Sequence, residues 1–247
     1  MRVRRGVLAV CSLVALLWLA SSPAAAQSVN RNLIDELNTQ LLYVALPLTV
    51  FVEVILVYAV IRFSGNDDPK PTIDVPSLEV TWTIATAIIL LFVGLSAYVV
   101  LTNPFISPGE ASAAVDGDDE RVQVTGYRYG WQFSYPGENV TSQGVLVLPA
   151  NRSVTLNMTS SDVLHSLFIP RLGIKKDTFP GEYTKARTRA TKFGSYRAYC
   201  TELCGVGHSR MRANVTVVNR TAYRDWLDAH EGQHNVTEAP PLPAGAD

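Results

Sequence analysis

The sequence predicts two membrane-spanning helices followed by an all-β sandwich or barrel of roughly 100 residues outside the membrane. Apolar residues concentrate in the first hundred of the 247 positions. From Glu120 onwards, short alternating segments are separated by turn signals such as Pro136-Gly137 and Pro180-Gly181. The chain is 47% hydrophobic and 17% charged, with a net charge of −1, which argues against a disordered or nucleic-acid-binding protein. Its three cysteines are too few for a disulfide-rich scaffold.

The amino-terminal segment has the composition of a secretory signal peptide. A basic start is followed by an apolar run from Val7 to Ala20 and by small residues up to Ala26. The run of roughly 14 apolar residues is shorter than the ~20 that a membrane helix needs. We therefore predict that residues 1–26 are cleaved off and that residues 27–40 lie outside the membrane. A retained first membrane helix is the alternative.

Two longer apolar segments, residues 41–62 and 80–102, are each long enough to cross about 30 Å of hydrocarbon. With the signal peptide cleaved, the mature N-terminus lies outside, so the loop of residues 63–79 is cytoplasmic and the rest of the chain is external. Residues 103–119, rich in Pro, Gly, Ala and Asp, are predicted to be a linker. Glu53 lies within the first span, where a carboxylate implies a neighbouring membrane protein and serves either a functional role or a structural hydrogen bond.

The external domain is predicted over residues 120–220 and a partly disordered tail over residues 221–247. The tail is rich in Pro, Ala and Gly from Gly232. Its position outside the membrane places the domain in an oxidising compartment. Seven segments have the alternating pattern and the length of β-strands: Arg121–Thr125, Gly144–Leu148, Ser153–Thr159, Leu164–Ile169, Tyr183–Arg189, Tyr196–Cys200 and Ala213–Val218.

A cluster of soft metal-binding side chains follows the sixth of these segments. Between Cys200 and Met211 the chain places two thiols, the imidazole of His208 and a thioether within twelve residues, and His165 lies at an earlier strand boundary. Such ligands suit copper that cycles to Cu(I). A mononuclear blue-copper site uses one cysteine, whereas two thiolates four positions apart can bridge two copper ions. A disulfide between Cys200 and Cys204 is the alternative, and zinc is disfavoured because methionine is not its usual ligand.

The chain closely resembles subunit II of haem-copper cytochrome c oxidases over nearly its whole length. The matching pieces are the hairpin with residues 77–84, the aromatic run Gly126–Tyr135, residues 163–166, residues 172–177 and the complete C-x-E-x-C-x-x-x-H-x-x-M motif. The resemblance implies a cupredoxin domain, a Greek-key β-sandwich or barrel, that holds the dinuclear CuA centre on the outer face of the plasma membrane. This centre would accept electrons from a soluble donor and pass them to haem in subunit I, where O2 is reduced to water with proton translocation. Subunit III is a further expected partner.

The resemblance also implies a complete ligand set for the copper centre. Two cysteines would bridge the coppers, two histidines would each bind one, and a thioether and a backbone carbonyl would be weak outer ligands. The bridging cysteines would be Cys200 and Cys204, and the histidines His165 and His208. The thioether would be that of Met211 and the backbone carbonyl that of Glu202. The Glu202 carboxylate would bind a magnesium ion at the subunit I interface, which suits a hard cation.

Two further carboxylates acquire expected roles from the resemblance. Glu79 matches the residue at the cytoplasmic mouth of a proton path into subunit I; alternatively it is a solvated charge at a helix start, where the helix dipole favours it. Asp177 matches a residue near the haem propionates and the proton exit region.

The aromatic run and the charge of the outer domain depart from the pattern of relatives that oxidise cytochrome c. Those relatives carry an exposed tryptophan for electron entry where this chain has Tyr129, and Trp131 matches their next tryptophan. From Val115 to Arg220 the chain has 14 Lys and Arg against 9 Asp and Glu. Because charge complementarity governs encounter, we expect an acidic donor, such as a small blue-copper protein, as the alternative to cytochrome c.

Every asparagine after Asn103 begins an N-x-S/T sequon. We interpret this pattern as a glycosylated outer surface; a threonine-rich β-domain is the plain alternative. The six residues are Asn139, Asn151, Asn157, Asn214, Asn219 and Asn235.

Three other classes of protein share parts of this pattern. A quinol oxidase subunit II has the hairpin and the β-domain but lacks the copper ligands. A membrane-tethered cupredoxin that acts alone as an electron carrier would not need Cys204, Glu202 or Glu79. Nitrous oxide reductase shares the copper motif, but 247 residues leave no room for its catalytic domain.

Overall fold

The computed structural model describes residues 26–109 and 119–243. Apart from Ala26, the predicted signal peptide lies outside these ranges. So do residues 110–118 of the predicted linker and the last four residues of the tail.

Two long antiparallel helices form the membrane anchor. Helix α1 extends over Val29–Phe63 and helix α2 over Pro76–Leu101. Their apolar side chains are exposed, and both helices are long and apolar enough to span a bilayer. The first helix begins twelve residues before the predicted span, because the Ser28 hydroxyl caps it by accepting a hydrogen bond from the Arg31 N–H at 3.1 Å. A proline at the first helical position starts α2.

The outer domain is a sandwich of two sheets. The six-stranded sheet has the order β11-β3-β2-β1-β5-β8, and the five-stranded sheet has the order β4-β10-β9-β6-β7. The strands are β1 Glu120–Tyr127, β2 Gly130–Tyr135, β3 Val140–Gln143, β4 Val145–Pro149, β5 Val154–Ser160, β6 His165–Ile169, β7 Ile174–Thr178, β8 Thr184–Thr188, β9 Gly194–Cys200, β10 Arg212–Val218 and β11 His234–Val236.

This architecture confirms the predicted fold class. Three pairs of strands are parallel: β1 with β5, β4 with β10, and β3 with β11. The other pairs are antiparallel. The core lies between the sheets, where Trp131, Phe133 and Tyr135 point inwards from β2 and are fully buried. Each such side chain contributes about 1.5–3 kcal/mol by leaving water.

The carboxyl-terminal segment adds helix α3, Arg220–Ala229, and strand β11 to this sandwich. Apart from Arg220, both elements lie within residues 221–247, the predicted partly disordered tail. Tyr223, Trp226 and Leu227 are buried on one face of α3, and the Trp226 ring meets the Tyr135 ring edge-on at 5.3 Å. This spacing of three and four residues is the helical signal in an otherwise polar segment.

The start of α1 is fastened to the sandwich. The Ser28 hydroxyl donates to the Leu172 carbonyl at 2.6 Å, and the Asn30 amide donates to the Arg187 carbonyl at 2.8 Å. Gly173 has φ 64°, and a Cβ there would lie 2.9 Å from the Arg31 nitrogen, so glycine permits the close approach. These contacts fix the outer domain relative to the anchor.

Candidate metal centre

The candidate metal ligands come from one end of the five-stranded sheet. His165 is the first residue of β6, Cys200 is the last residue of β9, and the loop up to Met211 connects β9 to β10. The pairing of Leu167 with Cys200 holds β6 beside β9, so a histidine and a cysteine 35 residues apart become neighbours.

The structure brings all six predicted ligands together. The Cys200 Sγ lies 3.8 Å from Nδ1 of His165, 3.9 Å from the Cys204 Sγ and 3.2 Å from the Glu202 carbonyl oxygen. The Cys204 Sγ lies 3.7 Å from Nδ1 of His208 and 3.7 Å from the Met211 Sδ. One thiol is therefore surrounded by an imidazole and a carbonyl, and the other by an imidazole and a thioether.

The two thiols are free, and both are buried. Burial and, to a lesser extent, the neighbouring Cys200 together raise the pKa of Cys204 to about 11. The Cys204 thiol would therefore remain protonated at neutral pH unless a cation replaced its proton. The ligand atoms of His165, Cys200 and Cys204 all lie within 4.8 Å of one another. This soft, convergent donor set fits copper.

Asp162 orients the first histidine and was not among the residues predicted from the sequence. Its Oδ1 lies 2.8 Å from Nε2 of His165, and it also accepts hydrogen bonds from the backbone N–H groups of Val163 and Arg128. Burial by itself would raise the pKa of Asp162, but the hydrogen bonds from His165, Arg128 and Val163 outweigh it and lower the pKa to about 2. An ionised carboxylate at Nε2 makes Nε2 the donor, so Nδ1 presents its lone pair to the thiols.

Two aromatic side chains lie on either side of this cluster. Trp131 is fully buried, and its ring meets the His165 ring edge-on at 6.0 Å. Tyr129 is 38% exposed and covers the cysteine loop. A Cβ at Gly207 would lie 2.5 Å from the Tyr129 ring, and one at Gly205 would lie 2.8 Å from its hydroxyl. The loop therefore needs both glycines to accommodate the tyrosine.

An apolar surface lies directly above the thiols. Leu203 and Val206, within the cysteine loop, are 80% and 96% exposed. Together with Tyr129 they form what we call the loop patch. Arg128 beside it is half exposed. Neighbouring apolar side chains held this far into solvent are typical of surfaces that contact another protein.

The two carboxylates expected on proton paths lie apart from the cluster. Glu79 is in the exposed first turn of α2, at the opposite end of that helix from the outer domain. Asp177 is exposed on edge strand β7, opposite Ser166 in register. The structure thus groups the six metal-ligand candidates and leaves these two outside the group.

A two-helix membrane anchor that carries a sandwich with clustered thiol, imidazole and thioether groups defines a membrane-bound cupredoxin-like protein. A family model described as "Cytochrome C oxidase subunit II, periplasmic domain" matches residues 137–218. A second, "Cytochrome C oxidase subunit II, transmembrane domain", matches residues 16–100.

Two relatives agree with these matches. The cytochrome c oxidase subunit 2 of Cereibacter sphaeroides is 30% identical, covering 92% of this chain and 84% of the relative. That of Synechocystis is 30% identical, covering 93% and 83%. The periplasmic domain of cytochrome oxidase subunit II from Bradyrhizobium japonicum is 25% identical, with a TM-score of 0.44, and covers 46% of this chain and 94% of that structure. The chain belongs to the cytochrome c oxidase subunit II family, as the resemblance predicted, and is a subunit of a haem-copper terminal oxidase.

Proposed function

We propose that this chain is the electron-entry subunit of its oxidase. It holds a dinuclear CuA centre on the outer face of the plasma membrane, accepts electrons from a soluble donor and passes them to haem in subunit I. Oxygen is reduced to water in subunit I, and the reaction is coupled to proton translocation. The observation that carries this proposal is the side-by-side placement of Cys200 and Cys204, each with its own imidazole neighbour.

The chain's own residues would hold the two metal ions in a nearly symmetric frame. Cys200 and Cys204 would supply thiolates to both ions, His165 and His208 would each supply an imidazole, and the Met211 thioether and the Glu202 carbonyl would be weak ligands. When bound, such a pair of ions would take up and release one electron with little structural change. Rigid support from β6, β9 and β10 keeps the ligands in place in both oxidation states.

The loop patch is the proposed docking face for the donor. Tyr129 provides an exposed ring directly over the cysteine loop, and the buried Trp131 provides an aromatic contact to His165. With Arg128 at the edge and a surplus of positive charge over the domain, this face suits a donor with an apolar centre and acidic surroundings. A small acidic blue-copper protein has this chemistry, and cytochrome c is the alternative donor.

Other residues are proposed to face the partner subunits. Glu202 turns its carbonyl towards Cys200, which leaves its carboxylate for a shared magnesium ion at the subunit I interface. Asp177 would lie on the same interface, near the proton exit region. Glu79 would lie at the cytoplasmic entrance of a proton path. Subunit III completes the expected membrane complex.

Electron paramagnetic resonance of the full chain, solubilised in detergent and loaded with copper, tests the central claim. One electron shared equally by two copper nuclei of spin three-halves gives a seven-line hyperfine pattern, whereas one copper gives four lines. We expect seven lines from the native chain and four from Cys204→Ser, which retains only one thiolate. Four lines from the native chain would instead identify a tethered mononuclear carrier.

A further inference from the structure

Sequons are distributed unevenly between the anchor and the outer domain. All six asparagines after position 103 begin N-x-S/T, whereas none of the five at positions 30, 32, 38, 66 and 103 does. Only 22 of the 144 residues from 104 to 247 are Ser or Thr, so chance alone gives this spacing at about one asparagine in six or seven. The distribution follows the boundary between the anchor and the domain that faces outwards.

The structure places most of these asparagines where a large substituent fits. Five of the six are exposed. Asn139, Asn151 and Asn235 have φ between 54° and 78° and are the three non-glycine residues with positive φ in the described part of the chain. Asparagine tolerates this conformation at turns, where its side chain projects from the surface.

The sixth asparagine is held differently. Asn157 lies within β5 between Gln123 on β1 and Lys185 on β8, and its side chain is only partly exposed. Its amide nitrogen donates to the Gln123 Oε1 at 3.0 Å. The nitrogen that a sugar would occupy is therefore already engaged on the sheet surface. By contrast, Asn219 caps α3 and Asn235 contacts Gln143 through their side-chain oxygens, which leaves their nitrogens unengaged.

Three of the exposed asparagines lie at the end of the sandwich opposite the metal cluster. Asn139 precedes β3, Asn151 precedes β5 and Asn219 follows β10. Strand β10 begins next to the cysteine loop and ends at Val218, beside the end of β4. Sugars at this end would leave the loop patch open to a donor.

From these observations we propose that the outer domain is N-glycosylated at its exposed sequons: Asn139, Asn151, Asn214, Asn219 and Asn235. A bond forms between the asparagine Nδ2 and the anomeric carbon of a sugar carried on a lipid phosphate. The bond from that carbon to the phosphate oxygen breaks, the lipid phosphate leaves, and Nδ2 gives up one proton. The side-chain oxygen is unchanged, so the helix cap at Asn219 and the contact of Asn235 persist.

The test uses the oxidase purified from membranes of its own host cells. Proteolytic peptides analysed by mass spectrometry with electron-transfer fragmentation should carry hexose-containing additions on the five exposed asparagines. Peptides with Asn157 and Asn38 should be unmodified. Unmodified asparagine at all five exposed positions would overturn the proposal, and a glycan on Asn157 would overturn the selection by exposure.

A matched pair of variants at exposed Thr237 provides a second measurement. Thr237→Ala removes the sequon of Asn235, whereas Thr237→Ser keeps it. Both Asn235 and Thr237 are exposed. We expect the intact mass of the subunit to fall by one glycan in the alanine variant and to retain that glycan in the serine variant. Equal glycan content in both variants would contradict modification of Asn235.

Discussion

The carboxylate of Asp162 is expected to set both the copper affinity and the reduction potential of the centre. It lies 2.8 Å from Nε2 of His165 and is ionised over the physiological range, since its pKa is about 2. Asp162→Asn keeps the shape and removes the charge, and Asp162→Ala also removes the hydrogen bond. A charge-assisted hydrogen bond contributes about 1.5–3 kcal/mol, which corresponds to a loss of about 10- to 100-fold in copper affinity.

The sign of the change in potential follows from charge. The negative carboxylate stabilises the more positive oxidised site, so its neutralisation should raise the reduction potential, by on the order of tens of millivolts for a one-electron couple. The assay is a redox titration followed by electron paramagnetic resonance, together with copper competition against a chelator. Asp162→Glu should recover part of both properties, and Asp177→Asn on the exposed edge strand is the matched control. Wild-type affinity and potential in both Asp162→Asn and Asp162→Ala would refute the orienting role.

Three further substitutions test other parts of the structure. Gly207→Ala places a methyl group 2.5 Å from the Tyr129 ring of the loop patch and should slow electron uptake in stopped-flow measurements. Gly137→Ala is the control: its methyl group would have no neighbouring atom within 4 Å, so electron uptake should be unchanged. Asp119→Ala removes the carboxylate from its ion pair with the buried Arg187 and should destabilise the domain by about 3–5 kcal/mol in thermal unfolding. The exposed Asp228→Ala should cost about 0.5 kcal/mol or less. Val206→Asp, at a 96% exposed position, should lower the association rate with an acidic donor and leave folding intact. An unchanged association rate at low salt would exclude the loop patch as the docking face for the donor.

Acid should weaken the same buried ion pair. Burial by itself would raise the pKa of Asp119, but hydrogen bonds from Arg187 and Thr155 and the charge of Arg187 lower it below 3.8. Because the pKa of Asp119 is lower in the folded than in the unfolded state, the ionised carboxylate stabilises the domain at pH values above the unfolded-state pKa. This stabilisation is lost as the pH falls through the folded-state pKa. The difference in unfolding midpoint between the native chain and Asp119→Ala should therefore shrink below about pH 4. A constant difference would contradict the linkage.

The hydrophobic pattern of the sequence predicted most strands of the sandwich, although β2 and β3, whose burial also alternates, were not among them. Segments near β1, β4, β5, β6, β8, β9 and β10 were predicted within a few residues of their bounds. Strand β7 was missed because Lys175, Lys176 and Asp177 are all exposed at the edge of the sheet. Strand β2 was missed because it lies within an aromatic run, although its buried residues alternate in the way a strand requires.

The sequence predicted most directly the part of the site whose residues lie close together in the chain. The spacing from Cys200 to Met211 indicated one loop, but the place of His165 depended on the pairing of β6 with β9, which no local pattern encodes. Asp162 was missed because a carboxylate three residues before a histidine is common in sequences. Only the fold shows that this carboxylate contacts the His165 ring. The loop patch was missed for a similar reason: Leu203 and Val206 look like core residues until the loop is seen to face solvent.

The attachment of α1 to the sandwich has a mechanical consequence. Without this attachment, the distance from the metal-ligand residues of the domain to an acceptor in the membrane could vary. The hydrogen bonds of Ser28 and Asn30 provide a second point of attachment, at the turn before β7 and on β8. Since the rate of electron tunnelling falls exponentially with distance, a fixed distance from the proposed copper centre to its acceptor would keep the rate of transfer the same, whichever donor had docked.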